Sequence, residues 1–167
     1  MYRSPFVLNV ADLLGRDASP RAERIEASVD WGIELSRIDP DQPIEADLML
    51  HPVSGGIAVT GKVLFDTRDS CFRCLRVTST ERSATVGALF DRTEDDESYP
   101  LDGHEIDVEQ MLRDETLLSL PLSPTCGDDC PGVVSSAEID LNTDPSGDEG
   151  GSRSPFAVLK DLLEPED

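Results

Sequence analysis

The sequence predicts an α+β protein: an antiparallel, β-rich domain with one central helix, a zinc knuckle and a C-terminal helix. Three observations lead there. Between residues 24 and 90, apolar and polar residues alternate over four stretches, the period of a half-buried strand. All four cysteines fall in two tight groups, Cys71-Phe72-Arg73-Cys74 and Cys126-Gly127-Asp128-Asp129-Cys130, with 51 residues between them. Between the groups lies a segment of helical spacing: Val108, Met111, Leu112, Glu115, Leu118 and Leu122.

In order, Phe6 to Val10 reads as a first strand. Asn9 can cap a short helical turn through Asp12, Leu13 and Leu14 that ends at Gly15. Residues 16–23 are polar and loop-like. A strand follows from Arg24 to Trp31, with Ile25, Ala27, Val29 and Trp31 on one face. Pro40 and Pro43 punctuate the next loop. Ile44 to His51 and Ile57 to Asp66 both alternate, and Ser54-Gly55-Gly56 between them signals a β-hairpin. Arg76 to Phe90 alternates again through Ala84, Val86, Ala88 and Phe90, so the first cysteine pair lies at a strand-to-strand turn. Residues 93–105 read as an acidic, solvated loop. Asp107 can cap the helix, with Gln110 completing a capping-box-like pair, and Pro121 and Pro124 end it. The helix thus delivers the second cysteine pair to the first.

The predicted organisation is one β-rich domain over residues 1–133, an acidic flexible linker over 134–153 and a short C-terminal helix over 154–167. The linker expectation rests on Asp144-Pro145-Ser146-Gly147-Asp148-Glu149-Gly150-Gly151. The helix expectation rests on Ser154 as N-cap, Pro155 at the first position, and an apolar stripe of Phe156, Leu159, Leu162 and Leu163.

The formal charge is −21, from 35 acidic and 14 basic residues. Such acidity opposes non-specific nucleic-acid binding, which needs lysine and arginine to neutralise phosphates. It suits a basic protein partner better. The charge is uneven, however. Lys62, Arg68, Arg73, Arg76 and Arg82 fall in a stretch whose only acids are Asp66, Asp69 and Glu81. No apolar run approaches the roughly 20 residues of a membrane helix, and the N-terminal stretch does not read as a secretory signal. A cytoplasmic location with reduced thiols is the expectation.

Two short-spaced thiol pairs suit a tetrahedral metal, because each pair chelates from one turn and two turns close a four-thiolate shell. Gly127 and Pro131-Gly132 supply turn chemistry around the second pair. Cys71, Cys74, Cys126 and Cys130 are therefore expected to hold one structural zinc. The competing readings are two disulfides, a thioredoxin-like redox pair, and four unrelated buried thiols. The redox pair requires a strand before the motif and a helix after it, whereas strands are expected on both sides here.

Three segments together resemble the YceD family of bacterial proteins. They are Cys71-Phe72-Arg73-Cys74-Leu75; Arg113 to Leu122 with Cys126 and Cys130; and Ser154-Pro155-Phe156-Ala157-Val158-Leu159. The resemblance implies a small non-enzymatic protein connected with accumulation of large-subunit ribosomal RNA. One departure stands out. Many members continue with Gly-Leu-Cys-x2-Cys-Gly after the second Cys-x3-Cys thiol, whereas Val134 and Ala137 stand here where those thiols would be. The four retained thiols still match one tetrahedral site.

The leading expectation is a ribosome-assembly factor without catalysis, partnered by large-subunit rRNA or a pre-ribosomal particle, or by a basic ribosomal protein. No membrane and no small-molecule substrate are expected. Arg68, Arg73 and Arg76 are the expected partner-binding residues. The alternatives are an acidic chaperone for a basic ribosomal protein without RNA contact, and a thiol redox protein. Enzymatic readings are poorly supported. His51 and His104 are the sole histidines, no phosphate-cradling glycine loop appears, and four thiolates leave no open position for water.

Overall fold

A computed structural model describes residues 4–93 and 98–132. These residues are mostly β, with one α-helix. The elements are β1 (Val7–Asn9), a 3-10 turn (Ala11–Leu14), β2 (Arg21–Ala27), β3 (Ser36–Ile38), β4 (Ile44–Val53), β5 (Gly56–Ser70), β6 (Val77–Asp91), β7 (Tyr99–Asp102), β8 (Glu105–Asp107) and α1 (Glu109–Leu118). The expected linker and C-terminal helix, and Val134 and Ala137, lie outside the described residues.

The strands form one sheet in the order β1-β8-β7-β6-β5-β4-β2, curled into a half-barrel, with β3 also paired to β5. Its axis is the β5–β6 hairpin, two 15-residue strands in unbroken register from Gly56 opposite Asp91 to Ser70 opposite Val77. One edge of β5 is shared end to end. β4 pairs with Gly56 to Leu64, and β3 pairs with Thr67 to Asp69. Strands this long accumulate twist, and a twisted sheet curls rather than staying flat. The curl brings backbones close at Gly61, where a Cβ would lie 2.2 Å from the Asp47 carbonyl oxygen.

The inward residues follow the period-2 pattern. Ile44, Ala46, Leu48 and Leu50 of β4 are buried, as are Val59, Val63 and Phe65 of β5 and Ala84, Val86 and Phe90 of β6. Helix α1 closes the core with Met111, Leu112 and Thr116. Burial of these apolar side chains is the main stabilising term, at roughly 1.5–3 kcal/mol for each large one.

Several expectations are corrected. The strand predicted from Arg24 to Trp31 runs from Arg21 to Ala27, because its partner β4 offers a full register from Arg21 opposite Leu50 to Ala27 opposite Ile44. Val29 and Trp31 are buried from the loop beyond it, and Trp31 packs its ring 6.0 Å from Phe6. β3 was not anticipated, being too short to show a period. The supposed loop at 93–105 contains β7 and enters β8. β7 runs parallel to β6 through Phe90 opposite Tyr99, so the sheet is not wholly antiparallel. The helix stops at Leu118. Leu118 is 82% exposed and Leu122 83% exposed. Ser119 ends the helix, its N–H reaching the Glu115 and Thr116 carbonyls and its hydroxyl donating to Thr116 O at 2.7 Å. Leu120 then turns inward and is buried. At the other end, Asp107 Oδ1 accepts the Glu109 N–H at 2.9 Å, and among the described residues no bond to Gln110 completes a capping box.

Candidate metal centre

The first cysteine pair sits at the tip of the β5–β6 hairpin. The Cys71 N–H donates to Arg76 O at 2.9 Å, and the Leu75 N–H donates to Cys71 O at 2.8 Å. This tight closure forces one residue into the left-handed region. That residue is Leu75, at φ 59°, where glycine is the usual occupant.

The second pair sits on the loop after α1. Gly127, at φ 108°, makes its turn, and the Cys130 N–H donates to Gly127 O at 3.3 Å. Two hydrogen bonds hold the approach to this loop, one to the hairpin tip and one to β3. The Phe72 N–H donates to Pro124 O at 2.9 Å, and the Ser36 hydroxyl donates to Pro121 O at 3.3 Å. The turn at Ser119 and the prolines beyond it aim the chain at the tip.

The two loops bring together Cys71, Cys74, Cys126 and Cys130. All four Sγ atoms lie within 4.8 Å of one another. Cys71 Sγ is 3.7 Å from Cys130 Sγ, and Cys74 Sγ is 3.6 Å from Cys126 Sγ. A tetrahedron built on metal–sulfur bonds of ~2.3 Å has edges of about 3.8 Å, so the sulfur positions fit such an ion. They do not fit disulfides, whose sulfurs lie ~2.05 Å apart, and all four cysteines are free. Cys71 is buried and the other three are half-buried.

The protonation preferences of the cluster are split. The Cys71 thiol is lowered from 9.0 to about 6, chiefly by the backbone N–H of Cys74, with the N–H groups of Arg73 and Cys126 adding to it against the opposing effect of burial. A tight turn that aims several N–H groups at one sulfur favours its thiolate. Cys126 is pushed up to about 12, chiefly by its hydrogen bond with Cys130, then by Cys74 and by burial.

A polar layer underlies the tip, and sequence reasoning missed it. Asp69 is 2% exposed, and its Oδ2 accepts from Arg82 at 2.6 Å. Arg82 Nε donates to Thr67 Oγ1 at 3.1 Å, and that hydroxyl lies 3.1 Å from both Asp69 Oδ2 and the Thr80 carbonyl. The available signal was periodicity. Thr67 and Asp69 continue the inward register of Val63 and Phe65 towards Cys71.

The three arginines expected to meet a partner are placed differently. Arg68 is held by Asp39 at 2.7 Å and Asp41 at 2.6 Å, and its pKa is raised, chiefly by the hydrogen bond to Asp41. Arg73 and Arg76 are exposed on the tip, and neither has an ion-pair partner among the described residues. Beside them stand three apolar side chains that sequence reasoning did not single out: Phe72, Leu75 and Val77, 50%, 71% and 60% exposed. Among the described residues, no helix is long and apolar enough to cross a membrane.

A family profile described as "Large ribosomal RNA subunit accumulation protein YceD" matches residues 59–163. An uncharacterized protein of Mycobacterium tuberculosis is 33% identical over 98% of this chain and 84% of its own length. A Mycobacterium leprae protein, also uncharacterized, is 29% identical over 98% of this chain and 80% of its own. No solved structure matches. The matched span takes in the hairpin tip, the helix and the second cysteine loop, and with the near full-length relatives it establishes that this chain belongs to the YceD family.

Proposed function

We propose that this protein is a non-enzymatic factor in large ribosomal subunit assembly, acting in the cytoplasm on large-subunit rRNA or a pre-ribosomal particle. Cys71, Cys74, Cys126 and Cys130 hold one structural zinc as thiolates. A bound zinc would tie the hairpin tip to the loop after α1, and four thiolates leave it no position for a reacting water. Arg73 and Arg76 carry the contact with RNA, since Arg68 is already neutralised by Asp39 and Asp41. The observation that carries this reading is the cluster of four sulfurs beneath a tip whose two arginines have no ion-pair partner among the described residues, in a chain whose family is described by large ribosomal RNA subunit accumulation.

The test is co-sedimentation of the tagged full chain with large-subunit precursors. Arg73→Ala combined with Arg76→Ala is expected to keep its zinc and its melting temperature while losing association. A double variant that loses zinc or unfolds, while the wild type never sediments with those particles, would overturn the reading. The net charge of −21 favours one second reading, an acidic chaperone for a basic ribosomal protein. Association that survives RNase treatment would select it.

A further inference from the structure

We propose that the hairpin tip binds unpaired nucleotides of RNA, with a base stacked on Phe72 and the flanking phosphates on Arg73 and Arg76. This inference rests on the reading above and narrows it from rRNA in general to its single-stranded loops and bulges.

The tip exposes apolar surface. Phe72, Leu75 and Val77 stand out from it, although apolar groups gain nothing from solvent. Leu75 adds a second cost. It occupies the left-handed region, which disfavours residues other than glycine by roughly 1–2 kcal/mol. A leucine held there, with most of its side chain in water, gains little from burial in the free chain. A partner covering the tip would give both features a use.

Charge selects the class of partner. The segment from Cys71 to Val77 contains Arg73 and Arg76 and no acid, and neither arginine is paired among the described residues. Arg21, Arg24, Arg37, Arg68, Arg82 and Arg113 are engaged with carboxylates, whereas Arg16 and Lys62, outside the tip segment, also have no ion-pair partner among the described residues. An anionic partner is therefore received at the tip and repelled by much of the remaining surface, given the charge of −21.

Magnitude then decides between duplex and single strand. Two arginines neutralise about two phosphates, and each contributes only ~0.7 to the logarithmic salt slope on a single strand. That is too little for useful affinity alone. A stacked base adds about 1–3 kcal/mol, and a duplex withholds it. The major groove of A-form RNA is too deep and narrow for side chains, so base faces become available where pairing is absent. The tip is also rigid where it must be, because the Phe72 N–H is fixed to Pro124 O at 2.9 Å.

The experiment measures anisotropy of a labelled RNA of about ten nucleotides, as a single strand and annealed to its complement, titrated with the full metal-loaded chain. The wild type should favour the single strand by about tenfold or more. Phe72→Leu keeps an apolar side chain but loses the π-face. It should erase that preference, weakening single-strand binding by roughly 5- to 100-fold, with zinc content and melting temperature retained. Phe72→Trp should restore or tighten binding. Equal affinity for the two RNAs, or an unaffected Phe72→Leu variant, would overturn the stacking inference. In that case, loss of binding in the Arg73→Ala, Arg76→Ala variant would leave the broader RNA reading standing. A wild type that binds neither RNA yet sediments with large-subunit particles would overturn both and assign the tip to a protein partner.

Discussion

At the residue scale, Leu75 and Asp69 show local rules giving way next to the candidate site. Leu75 takes a backbone conformation suited to glycine while exposing its side chain. Leu75→Gly is therefore expected to stabilise the chain by up to ~1 kcal/mol, once the extra unfolded-state entropy of glycine is set against the strain relieved. Its melting temperature should rise by about 2–4 °C, and a drop of that size would show that the leucine side chain supports the fold. Asp69 is the opposite case, a buried carboxylate whose Oδ2 is neutralised by Arg82 and whose Oδ1 has no hydrogen-bond partner among the described residues. Removing one partner of a buried pair strands the other charge, which costs about 3–5 kcal/mol. Arg82→Ala should lie near the lower end, because Arg82 is partly exposed. Urea titration of this variant beside Asp69→Asn would check it, the expectation being that the asparagine is tolerated better. Neither residue announces its role by type. Asp69 could be found only by following the inward register of β5, and Leu75 only by closing the turn.

At the element scale, the β5–β6 hairpin and the loop after α1 meet through sulfur. Metal removal by a chelator should lower the melting temperature by at least ~5 °C and increase amide exchange at residues 71–76 and 126–130 more than along β5 and β6. Exchange that rises equally along the whole hairpin would mean that the cluster is not a local staple. The metal-free chain has a pH dependence of definite sign. The folded-state pKa of Cys71 is depressed to about 6 from 9.0, so its stabilisation is complete above pH 9 and lost as pH falls through 6. That of Cys126 is raised to about 12 from 9.0, so its stabilisation is complete below pH 9 and lost as pH rises through 12. The combined contribution of Cys71 and Cys126 therefore peaks near pH 9, and metal-free melting temperatures measured from pH 6 to 11 should trace that maximum. A monotonic profile would contradict it. Zinc added at pH 7 should release fewer than four protons per metal, measured with an indicator dye, because Cys71 has already given up its own.

At the scale of the whole molecule, a charge of −21 sets two salt dependences of opposite sign. Added salt screens self-repulsion and should raise the melting temperature, while weakening any contact with RNA phosphates. Asp128 and Asp129, both exposed on the loop that carries the second cysteine pair, oppose a polyanion at the tip. Asp128→Asn with Asp129→Asn is expected to tighten single-stranded RNA binding several-fold at low salt, with the gain fading as salt rises. An unchanged affinity would place the RNA surface elsewhere.

The sequence by itself determined the β-rich class, the core faces of β4, β5 and β6, the hairpin signalled by Ser54-Gly55-Gly56 and the gathering of thiols into two tight turns. These are consequences of period, turn chemistry and spacing, all carried by neighbouring residues. Only the tertiary structure decided the rest. The start of β2 depended on its register with β4, and β7 depended on a parallel partner in β6. The helix lost Leu118 and Leu122 from its buried face because the chain had to turn at Ser119 to seat Leu120 and reach the tip. Which arginines remain unpaired was equally beyond a linear reading. Arg68 and Arg73 are both basic residues near a cysteine pair, but Asp39 and Asp41 are brought to Arg68 by the β3–β5 pairing and the loop beyond it. Ion pairs of this kind are made across the fold, between residues far apart in sequence, and no local pattern encodes them.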